Sequence, residues 1–568
     1  MEKMKAPVIS IGNQDFQSIR EHRFFYIDKT DFIREWWENG DSVTLITRPR
    51  RFGKTLTLSM TEQFFSNQCR ESAGLFEGLA VWSDALMREL QGTYPVIFLS
   101  FANVKEPDFC RTRKKICQLI TNLYMKYLFL VEEGFLKDKE RAFFESVSAD
   151  MDDTAATMAI HQLTDYLYRY YHRKVLILLD ECDTPLQEAY IDGYWDEMIS
   201  FIRSLFNATF KTNPGMERGL LTGITRISKE SIFSDFNNLE VITTSSEKYR
   251  TAFGFTQKEV EKALSTYGLS EKMEQVKVWY DGFCFGSQTD IYNPWSITKY
   301  LDSGKFGNYW ANTSSNSMVS KLIQEGSAGL KTAMEDLLEG KSIDTQLDEE
   351  LVFSELGEKD TAVWSLLLAS GYLKLTKVPE DDPDGLYGLS LTNLEVKNLF
   401  RRMVHGWFDR SSVRYGDFVK ALLANDVGYM NEYMNQIALQ TFSSFDAGRQ
   451  ASGCPEPERF YHGFVLGLLV DLRERYQIRS NRESGFGRYD VMMIPEHKSD
   501  PAYILEFKVR KPDKEAGLEQ TVQNALKQIR QKRYDTELTA LGIRPEQIFC
   551  YGFAFEGKQV RIGMDQQK

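Results

Sequence analysis

Three sets of residues in this chain have the types and spacing to do chemistry. The first is Gly53-Lys54-Thr55, inside the stretch RPRRFGKTLTL from 48 to 58. A glycine lets backbone approach an anion closely, a lysine brings a mobile cation, and a threonine hydroxyl can ligate Mg²⁺. Successive N–H groups at the start of a helix would then point at phosphate oxygens. The glycine expected five residues before Gly53 is an arginine, Arg48, and the bare tripeptide also occurs in surface turns. Context favours phosphate: the apolar run SVTLIT precedes the loop and LTLSMTEQFFS follows it with helical spacing. Arg48, Pro49, Arg50, Arg51 and Phe52 are then expected to wrap the phosphates beside Gly53, Lys54 and Thr55.

The second set ends the run VLILLDE. Asp180, at the carboxyl end of an apolar strand, stands where open α/β sheets place their ligands and could hold the water shell of Mg²⁺. Glu181 is placed to polarise an attacking water. In LLTGITRISKESIFSD, Thr222 and Arg226 become sensors of a terminal phosphate if their strand neighbours that of Asp180. A surface ion pair is an equal reading of Arg226.

The third set lies in GFGRYDVMMIPEHKSDPAYILEFKVRK, residues 485 to 511. RYDVMMI and AYILEFKV read as two strands joined by a polar loop, so Asp490 and Glu506 can face one another across a hairpin. Alternation puts Glu506 and Lys508 on one face and turns Phe507 into the core. Two carboxylates and a lysine suit metal-assisted phosphodiester hydrolysis, with the lysine stabilising charge or orienting the nucleophile. Glu-x-Lys alone is a common surface pattern. The upstream acid Glu458, opening ERFYHGFVLGLLVDL, and a later helix with Gln528 and Tyr534 favour the site.

The elements that must position these groups follow from the apolar runs. SVTLIT, YPVIFLSF, KVLILLDE and RGLLTGIT alternate with helical patterns, which implies a mostly parallel sheet covered on both faces. After Phe255 the pattern becomes that of a smaller helical lid. From Ala362, AVWSLLLASGYLKLTKV, the acidic turn PEDDPDG and LYGLSLTNLEVKNLF give helix, strand, turn, strand, helix, as in a winged helix. The polar stretch AGRQASGCPEPE then leads into a compact C-terminal segment. Domain boundaries are expected at 1–255, 256–345, 346–450 and 451–568.

Composition sets bounds. No run approaches the ~20 apolar residues of a membrane span, and no signal-peptide core follows the N-terminus, so a cytoplasmic location without membrane association is expected. The seven cysteines form no CxxC pair and read as reduced core residues. A net charge of -12 argues against nucleic acid coating the whole surface. Locally, residues 506 to 533 carry eight Lys or Arg against four acids, which would suit a nucleic-acid face as well as a solvated helix.

FYIDKTDFI, LITRPRRFGKTLTLSM, LILLDECDTPL, LLTGITRISKESIFSDFNNL, FGFTQKEV and YNPWSITKYL occur in order over about residues 8 to 300. Together they closely resemble the AAA-ATPase-like family of bacterial proteins. That resemblance makes Arg48 the family's usual residue. Cys182 departs from the aromatic usual there, while Asp180, Glu181, Asp183 and Pro185 are retained. Residues 455 to 565 resemble the PD-(D/E)XK nuclease superfamily in the version appended to such ATPases. By that resemblance Asp490 and Glu506 are metal ligands, Lys508 is the catalytic lysine, Glu458 is the acid on the first core helix, and Gln528 with Tyr534 line the site. Tyr489 stands where the superfamily's proline is expected.

The resulting expectation is a multidomain α/β protein. A P-loop NTPase sheet is followed by a helical lid, a winged-helix-like middle region and a PD-(D/E)XK nuclease core. The resemblance implies ATP and Mg²⁺ as cofactors, DNA as partner of the C-terminal domain, self-association through the ATPase domain, and a setting in bacterial defence or mobile elements. An ATP-dependent switch or scaffold, whose nuclease-like domain binds nucleic acid or partners without cutting, is the alternative.

Overall fold

The computed structural model describes residues 6–224, 237–311, 317–347, 356, 359–378, 385–409, 415–441, 465, 469, 472, 475–484, 487–557 and 559–566. Two of the expected site residues, Arg226 and Glu458, lie outside them, as do most of the acidic turn and the stretch AGRQASGCPEPE. The chain forms two compact units, Met1–Met318 with Ser342–Lys397, and Val319–Lys341 with Asn398–Lys568.

The first unit is built on five strands, β1 (Val43–Thr47), β2 (Val96–Ser100), β3 (Val175–Asp180), β4 (Met216–Gly223) and β5 (Leu239–Ile242), in the order β2-β3-β4-β1-β5. Every pairing is parallel. All residues of β1 and β3 are buried, so both sheet faces are covered, which is why these strands read as unbroken apolar runs. The register sets Ser100 opposite Asp180 and Thr47 opposite Gly223, gathering the carboxyl ends of β1 to β4 at one edge. β5 was absent from the expected strands: its four residues, LEVI, are too short a run to distinguish from a loop.

The region expected to be a helical lid also contains a small antiparallel sheet, β6 (Phe255–Thr256), β7 (Phe283–Phe285) and β8 (Gln288–Tyr292), in the order β6-β8-β7. Phe283 and Phe285 are both buried, so the aromatic alternation of FCF forms a strand. Helix Gln257–Thr266 starts with the capping box of Thr256 and Glu259. β9 (Ile343–Thr345), β10 (Leu373–Lys377) and β11 (Tyr387–Leu391) form a further three-stranded sheet, flanked by helices Asp360–Ala369 and Leu394–Asp409 in the winged-helix order.

The second unit holds a mixed sheet, β12 (Tyr476–Ser484), β13 (Gly487–Pro495), β14 (Ala502–Val509), β15 (Ile548–Glu556) and β16 (Gln559–Gln566), in sequence order. Only β14 and β15 pair in parallel. Alternation along β14 divides two cores: Tyr503, Leu505 and Phe507 enter one, Ala502 and Ile504 the other. Helix Leu518–Lys532 packs into the latter through Val522, Leu526 and Ile529. The outer strand β16 is closed by Asn431 and Asn435, one helical turn apart, whose side-chain amides both donate to and accept from the backbone of Val560 and Ile562.

All six described cysteines are free; Cys117, Cys182 and Cys550 are buried, whereas Cys110 is exposed, so the expectation of core cysteines fails there. Cys110 falls on the outer side of the first turn of the amphipathic helix Phe109–Met125.

Candidate functional site

The loop after β1 turns into helix Lys54–Phe65 through Gly53, whose φ of 88° is the left-handed conformation that glycine adopts without strain. Arg51 (φ 65°) and Glu181 (φ 50°) share that conformation although each carries a Cβ. Such backbone costs on the order of 1 kcal/mol or more per residue and tends to collect at functional sites. The loop borders a cavity of about 380 Å³ that also reaches Glu181 and Trp295.

Thr55 donates its hydroxyl to Asp180 Oδ2 at 2.9 Å, tying the helix start to the end of β3. Asp180 is fully buried. Ser100 also donates to Oδ2 (3.2 Å) and Thr222 donates to Oδ1 (2.8 Å). Burial raises the Asp180 pKa, the neighbouring Glu181 adds to that, and the hydroxyls of Thr222 and Thr55 oppose it. Lys54 is 3% exposed; its ammonium donates to the carbonyls of Arg48 (3.0 Å) and Pro49 (3.2 Å) and lies 3.4 Å from Glu181 Oε1. A mobile cation, a hydroxyl, a buried carboxylate and a partly exposed one therefore meet at a helix N-terminus. That arrangement can take a phosphate chain with its metal.

The structure departs from the expected roles at three positions. Arg48 does not face the cavity: its guanidinium is fully buried, donates to the carbonyls of Thr47 (2.9 Å) and Thr243 (2.7 Å), and lies 4.4 Å from the Phe285 ring centroid. Burial pushes its pKa down to about 9. Pro49 likewise lies off the cavity wall, against Gly371. Only the carbonyls of these two residues serve the site, by holding Lys54. Thr222, expected to sense a phosphate, spends its hydroxyl on Asp180 and accepts the Glu181 N–H at 3.3 Å. Of the remaining loop residues, Arg50 and Arg51 line the cavity, with Arg51 stacked on Trp295 at 4.5 Å. Phe52 borders it while its ring packs on Phe283 and Phe285.

Ser100 was missed: it ends an apolar run, but only the pairing of β2 with β3 sets it beside Asp180. Asp183 is fully buried and takes the N–H of Ile224 (2.9 Å) and the amide of Gln187 (2.8 Å); Gln187 in turn accepts from Arg50 at 3.3 Å. A Cβ on Gly223 would sit 2.9 Å from Asp183 Oδ1, so glycine permits this approach.

In the second unit the pairing of Val491 with Leu505 brings Asp490 beside Glu506. Asp490 Oδ2 accepts the N–H of Phe507 at 2.8 Å. Glu506 is 2% exposed, with Lys508 Nζ at 3.7 Å from its Oε1. Gln528, from helix Leu518–Lys532, donates to the same oxygen and also to the Tyr534 hydroxyl at 3.1 Å. Tyr534 is buried and its pKa is raised mainly for that reason; Glu506 and Asp490 also raise it, while Gln528 opposes them. Thus Asp490, Glu506, Lys508, Gln528 and Tyr534 converge on one spot. Among the described residues, no group of three or more His, Cys, Asp or Glu gathers as a metal site. The two carboxylates are hard oxygen donors and fit Mg²⁺, which commonly takes one or two carboxylates and fills its shell with water and phosphate oxygens.

A parallel α/β sheet with a phosphate-loop turn, and a mixed sheet presenting paired carboxylates and a lysine, define the class as a nucleotide-type ATPase fold joined to a nuclease-type fold. Residues 10–233 match the family model described as "Predicted AAA-ATPase", and residues 456–564 match that of the PD-(D/E)XK nuclease superfamily. The chain therefore carries an AAA-ATPase-like domain and, C-terminal to it, a PD-(D/E)XK nuclease superfamily domain. It is also 26% identical over 578 residues to an uncharacterized protein in the vnfD 5′ region of Azotobacter chroococcum mcd 1, covering 98% of this chain and 97% of that one. Among the described residues, no helix is long and apolar enough to cross a membrane.

Proposed function

We propose that the protein binds and hydrolyses ATP at the first site and cleaves DNA at the second, with the state of the nucleotide governing cleavage. The observation that carries the first half is the Thr55–Asp180 hydrogen bond, with Lys54 and Glu181 in the same cavity. Lys54 exchanges its loop carbonyls for phosphate oxygens, the loop N–H groups orient the phosphates, and Glu181 accepts a proton from the attacking water. Thr55 and Asp180 would hold Mg²⁺, which neutralises charge on the phosphates when bound.

At the second site Asp490 and Glu506 would hold a divalent cation, which supplies Lewis acidity and a more acidic bound water. Lys508 stabilises charge on the scissile phosphate, and Gln528 with Tyr534 fixes the orientation of Glu506. The basic residues between 506 and 533 support a nucleic-acid partner.

Purified protein incubated with linear, circular and single-stranded DNA, with and without Mg²⁺ and ATP, tests the reading. Metal-dependent cleavage altered by ATP is expected. ATP turnover without cleavage of any substrate would leave the switch and reject the nuclease.

A further inference from the structure

Residues far along the chain grip the phosphate loop from behind. The carbonyl of Arg50 accepts from the Trp310 indole N–H at 3.0 Å and from the Asn293 side-chain amide at 3.3 Å. Asn293 and Trp310 are 1% and 2% exposed. Neither belongs to the groups described above as acting on phosphate; Glu395 holds Trp310 directly and reaches Asn293 through the helix that Asn293 caps.

Glu395 lies in the first turn of helix Leu394–Asp409 and is 1% exposed. Its Oε1 accepts the backbone N–H groups of Trp310 (2.6 Å) and Ala311 (3.3 Å). Its Oε2 accepts the hydroxyl of Ser296 at 2.7 Å. Ser296 sits in the first turn of helix Pro294–Ser303, whose N-cap is Asn293. One carboxylate therefore gathers both segments that hold the Arg50 carbonyl. Burial raises its pKa to about 7 despite these donors.

Apolar contacts follow the same path. Trp310 packs on Tyr372 with ring centroids 5.3 Å apart and edge-on to Phe283 at 5.8 Å; Phe283 meets Phe52 of the loop at 4.8 Å. Pro49 lies so close to Gly371 that a Cβ there would come within 2.9 Å of the proline ring. Residues 371–395 thus reach the loop through a hydrogen-bonded route and a packed one.

We propose that Glu395 is a positioning residue of the nucleotide site: by fixing Trp310 and Asn293 it sets the Arg50 carbonyl, and so links nucleotide binding to the seating of residues 360–397. The peptide plane whose oxygen is Arg50's carries the Arg51 N–H at its other end, so its orientation sets the aim of an adjacent donor. Arg51 is held left-handed, and loss of the two donors loosens the hold on that plane. By linkage, a module that favours the loop's binding conformation must itself be favoured by nucleotide.

The inference rests on the ATP reading of the cavity, and the test separates the two. ATP affinity is measured by calorimetry, and unfolding by thermal melting, for full-length wild type, Lys54→Ala, Trp310→Phe, Glu395→Gln and Glu395→Ala. Trp310→Phe keeps a ring and removes one donor; it should remain folded with a lowered midpoint and bind ATP about 10-fold more weakly, the equivalent of one hydrogen bond. Glu395→Gln should lose less than Glu395→Ala. Hydrogen exchange supplies a readout that a merely structural role would not move: ATP should slow exchange at the amides of Tyr372 and Thr392 in wild type and do so much less in Trp310→Phe. Wild-type affinity and wild-type protection in folded Trp310→Phe and Glu395→Gln would overturn the positioning role alone. Absence of ATP binding by wild type would overturn the ATP reading, and the positioning role with it.

Discussion

Replacing Thr222 with valine removes one oxygen from the centre of the proposed nucleotide site and almost nothing else. The residue is 1% exposed, so the valine fills the same space, and its branched side chain suits a buried strand. What disappears is the 2.8 Å donor to Asp180 Oδ1 and the acceptor for the Glu181 N–H. A hydrogen bond to a charged group contributes about 1.5 to 3 kcal/mol. Asp180 is fully buried, so water does not readily substitute. Because this hydroxyl is the foremost group opposing the upward pKa shift, its loss raises the carboxyl further. The charged form then yields to the protonated form at a higher pH than in wild type, so the defect should grow as pH falls. On the proposed reading, Thr222→Val should lower affinity for ATP with Mg²⁺ by roughly 10-fold or more, by the conversion of 1.4 kcal/mol per decade. It should affect ATP without Mg²⁺ much less. Thr222→Ser should restore most of the loss. Calorimetric titration over a series of pH values, with and without Mg²⁺, reads all of this. Equal affinity of wild type and Thr222→Val for ATP with Mg²⁺ would refute the claim that this hydroxyl sets the state of Asp180.

Lys54→Ala should abolish ATP binding in the calorimeter. Glu181→Gln should retain binding and lose about 100-fold or more in steady-state phosphate release, because only proton acceptance is removed; wild-type turnover would mean another base. Glu506→Ala, Asp490→Asn and Lys508→Ala should each lose nearly all DNA cleavage on gels while binding ATP normally, since their site belongs to a different compact unit. Cleavage at the wild-type rate by Glu506→Ala would reject the nuclease assignment. Finally, Glu395 has a pKa raised from 4.5 to about 7, so its contribution to stability is full below pH 4.5 and is lost as pH rises through 7. The loss amounts to roughly 3 kcal/mol at 1.36 kcal/mol per pKa unit. Urea midpoints between pH 5 and 8 should fall accordingly in wild type and vary less in Glu395→Gln.

The strand-loop-helix around Lys54 was legible because buried parallel strands must be apolar throughout and Gly53 marks the turn. The alternation that sends Phe507 into a core and Glu506 to the opposite strand face was legible for the same kind of reason, since the period of a strand is two. Strand order was not, because nothing local to β1 or β3 states that β4 lies between them. That the Arg48 side chain turns away from the cavity was not legible from a basic loop beside a lysine. That side chain's true surroundings, Thr243, Phe253 and Phe285, come from some two hundred residues later. Asn293, Trp310 and Glu395 left no local signal for a comparable reason, as each is defined by partners remote in sequence.

Lys54 already has partners: two carbonyls of its own loop and a carboxylate. On the proposed reading, an arriving phosphate does not fill a vacancy; it displaces bonds that are already satisfied, and the loop carbonyls must swing aside as it does so. Association should therefore be slower than simple encounter and steeply temperature-dependent. Its net enthalpy should be small, because the ammonium trades one set of oxygens for another. The same trade works in reverse when the phosphate departs, since the loop can close on its lysine at once and leave no bare cation buried at the bottom of the cavity.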